Sequence, residues 1–126
     1  MAAIHKLEIE TSLLRTGALS PAVIEELFRT VDESISYELE VGSGVTDTNL
    51  PGFGSGDTQI ATIETFILIS DTTVVLNWNG ADTTLSVGTS QRRAVFMAYG
   101  VSTSTVPHIT NSGSTTAIVT VVAGGT

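Results

Sequence analysis

The stretch TVVLNWNGADTTLSV, residues 73–87, decides the fold. Asn79 and Gly80 both tolerate positive φ, so between two runs of β-forming residues they predict a two-residue hairpin turn. Val74, Leu76 and Trp78 alternate with Val75 and Asn77, which puts the only Trp of the chain on one face with two aliphatic residues. The return strand is expected over 83–87. The same strand texture continues on both sides of this stretch. Residues 59–70 form a nearly continuous apolar run, as in a strand buried on both faces, and 92–101 is a further strand. Residues 106–110 are expected to pair with 115–122 across Asn111-Ser112-Gly113-Ser114. Short strands at regular spacing with turn signals between them predict a mainly β protein, a β-sandwich or jelly-roll-like domain.

The N-terminal third reads differently. Leu7, Ile9, Thr11 and Leu13 alternate with Glu8, Glu10 and Ser12, which predicts a strand. Ser20-Pro21 then forms a helix start, with Val23, Ile24, Leu27, Phe28 and Val31 on one stripe and Glu25, Glu26 and Arg29 facing away. One short N-terminal α-helix is therefore expected. Ile35, Tyr37, Leu39 and Val41 alternate with Ser36, Glu38 and Glu40 as a second strand. The expected organisation is one domain over 1–126, with a strand-helix-strand part at 1–41, a Gly-rich surface loop at 42–57 and a sandwich core at 58–123. Gly124-Gly125 reads as a loose tail.

Only 14% of the 126 residues are charged, well below the roughly 25% of an ordinary soluble domain. Thr, Ser, Val, Ile and Gly fill the gap, a composition suited to pleated, half-buried surfaces. A net charge of −8 opposes nucleic acid and anionic membranes as partners. No cysteine is present, so thiolate chemistry and disulfides are excluded. MAAIHKLEIE alternates polar and apolar residues, unlike a signal peptide or a membrane span. Residues 1–40 carry eight acids and three bases, whereas 94–126 contain no Asp, Glu, Lys or Arg. A β-rich third without charge lacks the usual guards against edge pairing, and so calls for cover by another subunit or a larger assembly.

Candidate chemistry is sparse. Gly52-Phe53-Gly54-Ser55-Gly56 lacks the spacing of a phosphate loop, and Pro51 interrupts the faint calcium-loop pattern that starts at Asp47. His5 and His108 are too few for a metal site, and no cofactor is expected. Glu64 sits inside an apolar strand, as a buried carboxyl or as the ion-pair partner of Arg92 or Arg93. Trp78 with Asn77 and Asp82 offers either a sugar-stacking platform or a core contact beside its own turn. No motif places an acid–base pair, so no enzymatic activity is expected, although Glu64 or His108 would be the residues of a hydrolase. Interface candidates are Ala94, Phe96, Ala98 and Val101 on one strand and Ile118, Thr120 and Val122 on another.

From about Ile60 to Gly125, the run ETFILISDTTVVLNWNGADTTLSVG followed by VSTSTVPHITNSGSTTAIVTVVAGGT resembles small virion proteins of tailed bacteriophages. That resemblance implies a β-sandwich or jelly-roll protein that decorates or cements a capsid, or else a head–tail or tail component. It further implies residence in the virion after synthesis in the host cytoplasm. The partner would be the major capsid protein or another virion protein, and the chain a homo-oligomer, with a trimer favoured. A carbohydrate-binding module centred on Trp78 is the competing expectation.

Overall fold

In the computed structural model of the chain, the backbone is described for residues 3–11, 14–15, 18–19, 23–31 and 33–126, and the side chains for 33–99 and 102–126. Strands β1 (Ala3–Thr11) and β4 (Val23–Val31) pair antiparallel from Ala3↔Val31 to Thr11↔Val23. The short strands β2 (Leu14–Arg15) and β3 (Ala18–Leu19) pair between them. The expected helix over Val23–Val31 is therefore corrected to a strand; Ser20 and Pro21, its expected cap, lie outside the described residues. Val23, Ile24, Phe28, Thr30 and Val31 are β-branched or aromatic, and such residues lose side-chain freedom in a helix. A nine-residue helix is also marginal alone, whereas β1 supplies a complete ladder for a strand of the same length.

The remaining strands are β5 (Glu33–Val41), β6 (Val45–Asn49), β7 (Ile63–Ser70), β8 (Val74–Trp78), β9 (Ala81–Leu85), β10 (Ala94–Thr103), β11 (His108–Asn111) and β12 (Ala117–Gly125). They form a β-sandwich of two antiparallel four-stranded sheets. The front sheet has the order β10-β7-β12-β5 and the back sheet β6-β11-β8-β9. Every connection except the β8–β9 hairpin crosses from one sheet to the other. That hairpin is as expected: Trp78 pairs with Ala81, and Asn79 (φ 52°) and Gly80 (φ 80°) take the left-handed conformations of a tight turn.

Between the sheets, Phe66, Leu68, Val119, Val121 and Ala123 of the front meet Val74, Leu76, Leu85 and Ile109 of the back. Each is buried, and each strand contributes alternate residues, as a two-layer core requires. Phe66 is the centre of an aromatic group, with ring centroids 4.7 Å from Trp78, 5.9 Å from Phe53 and 6.1 Å from Phe96.

Three loop expectations are corrected. The segment 42–57 is a built part of the sandwich: it contains β6, and Leu50 and Phe53 are buried in the core. Its apolar anchors outweigh its glycines. The Leu50 N–H donates to the Pro107 carbonyl and the Ile60 N–H to the Gly52 carbonyl, each at 2.9 Å. Strands β11 and β12 do not pair with each other. β11 lies between β6 and β8, while β12 lies between β5 and β7, so residues 112–116 cross between sheets. The buried Asn111 side chain makes that crossing, donating to the Val41 and Thr115 carbonyls at 2.9 and 2.8 Å. Finally, Gly124 and Gly125 are buried in β12 rather than loose. A side chain at Gly125 would collide with the Thr62 carbonyl, so only glycine admits this approach.

Tyr37 illustrates how the connection over 50–53 is tied down. Its hydroxyl donates to the Pro51 carbonyl at 2.9 Å, and burial pushes its phenol above the ordinary tyrosine value. The unfolded chain therefore ionises first, near pH 10. The corresponding stability is intact below about pH 10 and is lost as pH rises beyond it. Tyr37→Phe is expected to lower stability by about 0.5–1.5 kcal/mol at neutral pH through the missing hydrogen bond. It is also expected to flatten the alkaline fall in the urea midpoint. An equally steep alkaline fall in the variant would contradict that assignment.

Candidate interaction surface

The strand register fixes what the outer side of the front sheet presents. One row across the sheet reads Val95, Ile69, Thr120, Glu38, and the next reads Met97, Ile67, Val122, Ser36. Ile118 lies beside Glu40 in the row before them. The aliphatic members of these rows are open to solvent: Val95 is 52% exposed, Met97 47%, Ile118 38% and Val122 37%. Ile67 and Ile69, between them on the central strand, are half-buried by these neighbours. The result is one continuous apolar patch on the face of a sheet, bordered by Glu38 and Glu40 on β5. Single exposed aliphatics are ordinary on protein surfaces, but a contiguous group with a polar rim marks an interaction site.

Of the interface candidates read from the sequence, Ile118, Thr120 and Val122 belong to this face. Ala94, Phe96 and Ala98 do not: they pack half-buried against the core, with Phe96 5.6 Å from Trp78. The side chain of Val101 lies outside the described residues. Sequence reasoning chose the inward set of β10 and missed Val95 and Met97, the outward one. The available signal was the phase of the strand. Phe96 is the bulkiest residue facing either way before Tyr99, and the largest ring of an alternating strand gains most from the core.

Below the patch, Glu38, Ile69, Asp71, Arg93, Ile118 and Thr120 line a shallow depression of about 230 Å³. Extending the β10–β7 register by one residue sets Arg93 opposite Asp71, and the row continues through Ile118 to Glu40. Glu64 is seven residues from Asp71 along β7, on the order of 23 Å at the rise of a strand. The expected partnership of Glu64 with Arg92 or Arg93 is thus out of reach within one sandwich, and Asp71 occupies the place opposite Arg93. Asp71 is itself engaged: its Oδ1 accepts from the Ile118 N–H at 2.8 Å and from the Thr72 hydroxyl at 2.9 Å.

The other candidates resolve into structural contacts. Trp78 is half-buried between Phe66 and Phe96, so its ring serves the core. Asn77 donates to Asp82 across the hairpin at 2.8 Å, and the Thr103 hydroxyl donates to the Asn79 side chain at 2.8 Å. The Gly-rich turn spends its amides internally, Gly54 N–H on the Ile60 carbonyl and Gly56 N–H on the Gln59 side chain. His108 Nδ1 lies 2.9 Å from Asp47 Oδ1, linking β11 to β6. His5 has no described side chain. Among the described residues, no three His, Cys, Asp or Glu converge as metal ligands would. Compared with family models, curated proteins and solved structures, the chain finds no match.

Proposed function

We propose that this chain is a structural virion protein of a tailed bacteriophage, a capsid decoration or cement protein that stabilises the head through the outer face of its front sheet. The observation that carries the proposal is the contiguous apolar patch of Val95, Met97, Ile67, Ile69, Ile118 and Val122 on the exposed side of the front sheet. Strand order supports it. Counting from β5 as the first of eight, the sheets read 6-3-8-1 and 2-7-4-5, the jelly-roll arrangement found in viral capsid and lectin domains. Fold alone does not assign function, and the phage resemblance of residues 60–125 supplies the choice between those classes. On a shell, many identical weak contacts sum by avidity.

The test mixes purified protein with undecorated phage shells and counts bound copies by electron microscopy. The parent is expected to bind in a fixed ratio to the major capsid protein. Met97→Asp with Val122→Asp is expected to reduce occupancy at least about 10-fold, because buried charge at the centre of an interface is penalised. Shells that take up no parent protein, or that bind the double variant equally well, would remove this function.

A further inference from the structure

The four sheet edges are not guarded alike. On the back sheet, β6 and β9 are each five residues long and carry Asp47 and Asp82, both exposed. On the front sheet, β5 presents Glu38 and Glu40, also exposed. Edge strands that are short or charged resist pairing with other chains. β10 is the exception: over Ala94–Tyr99, the regular part of its ladder before a register shift towards Thr103, it has no charge and no proline. β7 takes one of its sides, and among the described residues no further strand pairs with the other.

We propose that the occupant of this edge is β5 of a second copy of this chain, added head to tail so that the front sheet runs on from one copy into the next. Strand direction permits it directly. The β10/β7, β7/β12 and β12/β5 pairs are all antiparallel, so β10 and β5 run in opposite senses. A copy shifted sideways without being turned over therefore brings its β5 antiparallel to β10, as the ladder requires.

Charge selects the same arrangement. Arg92 and Arg93 are the only lysine or arginine residues within 33–126, and both immediately precede β10. Glu33, Glu38 and Glu40 lie on β5, at the far edge of the same sheet. Continuing the rows in register sets the neighbour's Glu40 beside Arg93 and its Glu38 beside Val95. Arg93 then stands between Asp71 of its own sheet and Glu40 of the next copy. Pairing β10 with β10 about a two-fold axis would leave the acids of β5 unused, and pairing β5 with β5 would oppose like charges. Backbone hydrogen bonds of an added strand supply the affinity, and the charges set partner and register. Because the two edges differ, the contact is heterologous and either closes into a ring or continues as a filament. The outer apolar patch stays on one side throughout, so assembly would enlarge that face.

This inference goes beyond the shell-binding function and stands on the edges alone. The test uses two variants of the 126-residue chain, R92E/R93E and E38K/E40K, all at exposed positions, with mass measured against concentration by sedimentation. The parent is expected to self-associate. Each variant alone opposes like charges and is expected to associate at least about 100-fold more weakly. An equimolar mixture, in which the two variants alternate, restores opposite charges at every contact of a filament or even-membered ring, and at all but one contact of an odd-membered ring. It is expected to assemble again, which also shows that both variants fold. A parent that stays monomeric at its highest soluble concentration overturns the proposal. So does E38K/E40K assembling like the parent, or a mixture that fails to recover. Self-association without shell binding keeps this inference and discards the capsid function.

Discussion

Asn111→Asp is expected to destabilise the sandwich by roughly 3–5 kcal/mol at neutral pH, the scale of an uncompensated buried charge. Asn111 is fully buried, and every polar atom of its side chain is used. Nδ2 donates to the Val41 and Thr115 carbonyls at 2.9 and 2.8 Å, while Oδ1 accepts from the Gly113 N–H at 3.1 Å. Aspartate has the same shape but replaces a double donor with an oxygen. At neutral pH that oxygen would face two carbonyl oxygens, where repulsion and lost hydrogen bonds add to the cost of burying charge. The folded state escapes by keeping the carboxyl protonated, which raises its folded pKa above the unfolded value near 4. Stability is then best preserved below about pH 4 and falls as pH rises, because the unfolded chain releases the proton more readily. Urea midpoints at acid and neutral pH read this out. Asn111→Leu leaves the two carbonyls without donors but adds no titrating group, so its loss should not follow pH in this way. Equal, pH-independent losses in the two variants would show that Asn111 is not the donor holding the crossing.

The same residue shows where the sequence was legible and where it was not. Strand existence was readable from alternation, and the Asn79-Gly80 hairpin from its turn chemistry, because both are local properties. Asn111-Ser112-Gly113-Ser114 carries an equally plausible turn signal, yet it spans two sheets. What distinguishes them is a bond to Val41, seventy positions earlier, which no local pattern encodes. Residues 23–31 failed for a related reason. Their apolar spacing fits a helix, but the nine-residue ladder offered by β1 is a tertiary opportunity that overrides periodicity. At the candidate surface, composition identified the segments that lack charge but left the phase of β10 open. The bulk of Phe96 marks its own side of β10 as the inner one, and the choice of Ala94, Phe96 and Ala98 as interface residues passed over that signal. Acids and cations far apart in sequence acquire meaning only when β5 and β10 prove to be opposite edges of one sheet.

Phe66→Ala should then separate the part of this chain that builds the sandwich from the part that meets a partner. Phe66 is fully buried on the central strand β7, and its ring touches the space of Phe53, Trp78 and Phe96 at once. Truncation removes a large transfer term and leaves a cavity that three other rings, anchored on separate segments, cannot all collapse to fill. A loss of about 3–5 kcal/mol is expected, or roughly 10–20 °C in Tm for a domain of this size. Trp78 reports the event itself: it is the only Trp, and loss of the ring 4.7 Å away opens its indole to water, shifting native-state fluorescence to longer wavelength. Met97→Ala, two strand positions from Val95 on the outer face, removes nearly as much apolar surface but from a side chain 47% exposed. Its effect on stability should stay small, within about 0.5 kcal/mol, because the same atoms remain in contact with solvent in the folded monomer. The two substitutions thus predict opposite profiles, with stability lost at Phe66 and shell binding lost at Met97. If Met97→Ala destabilised the monomer as much as Phe66→Ala, the outer face would be covered within a single chain, and no partner would be needed to account for its apolar character.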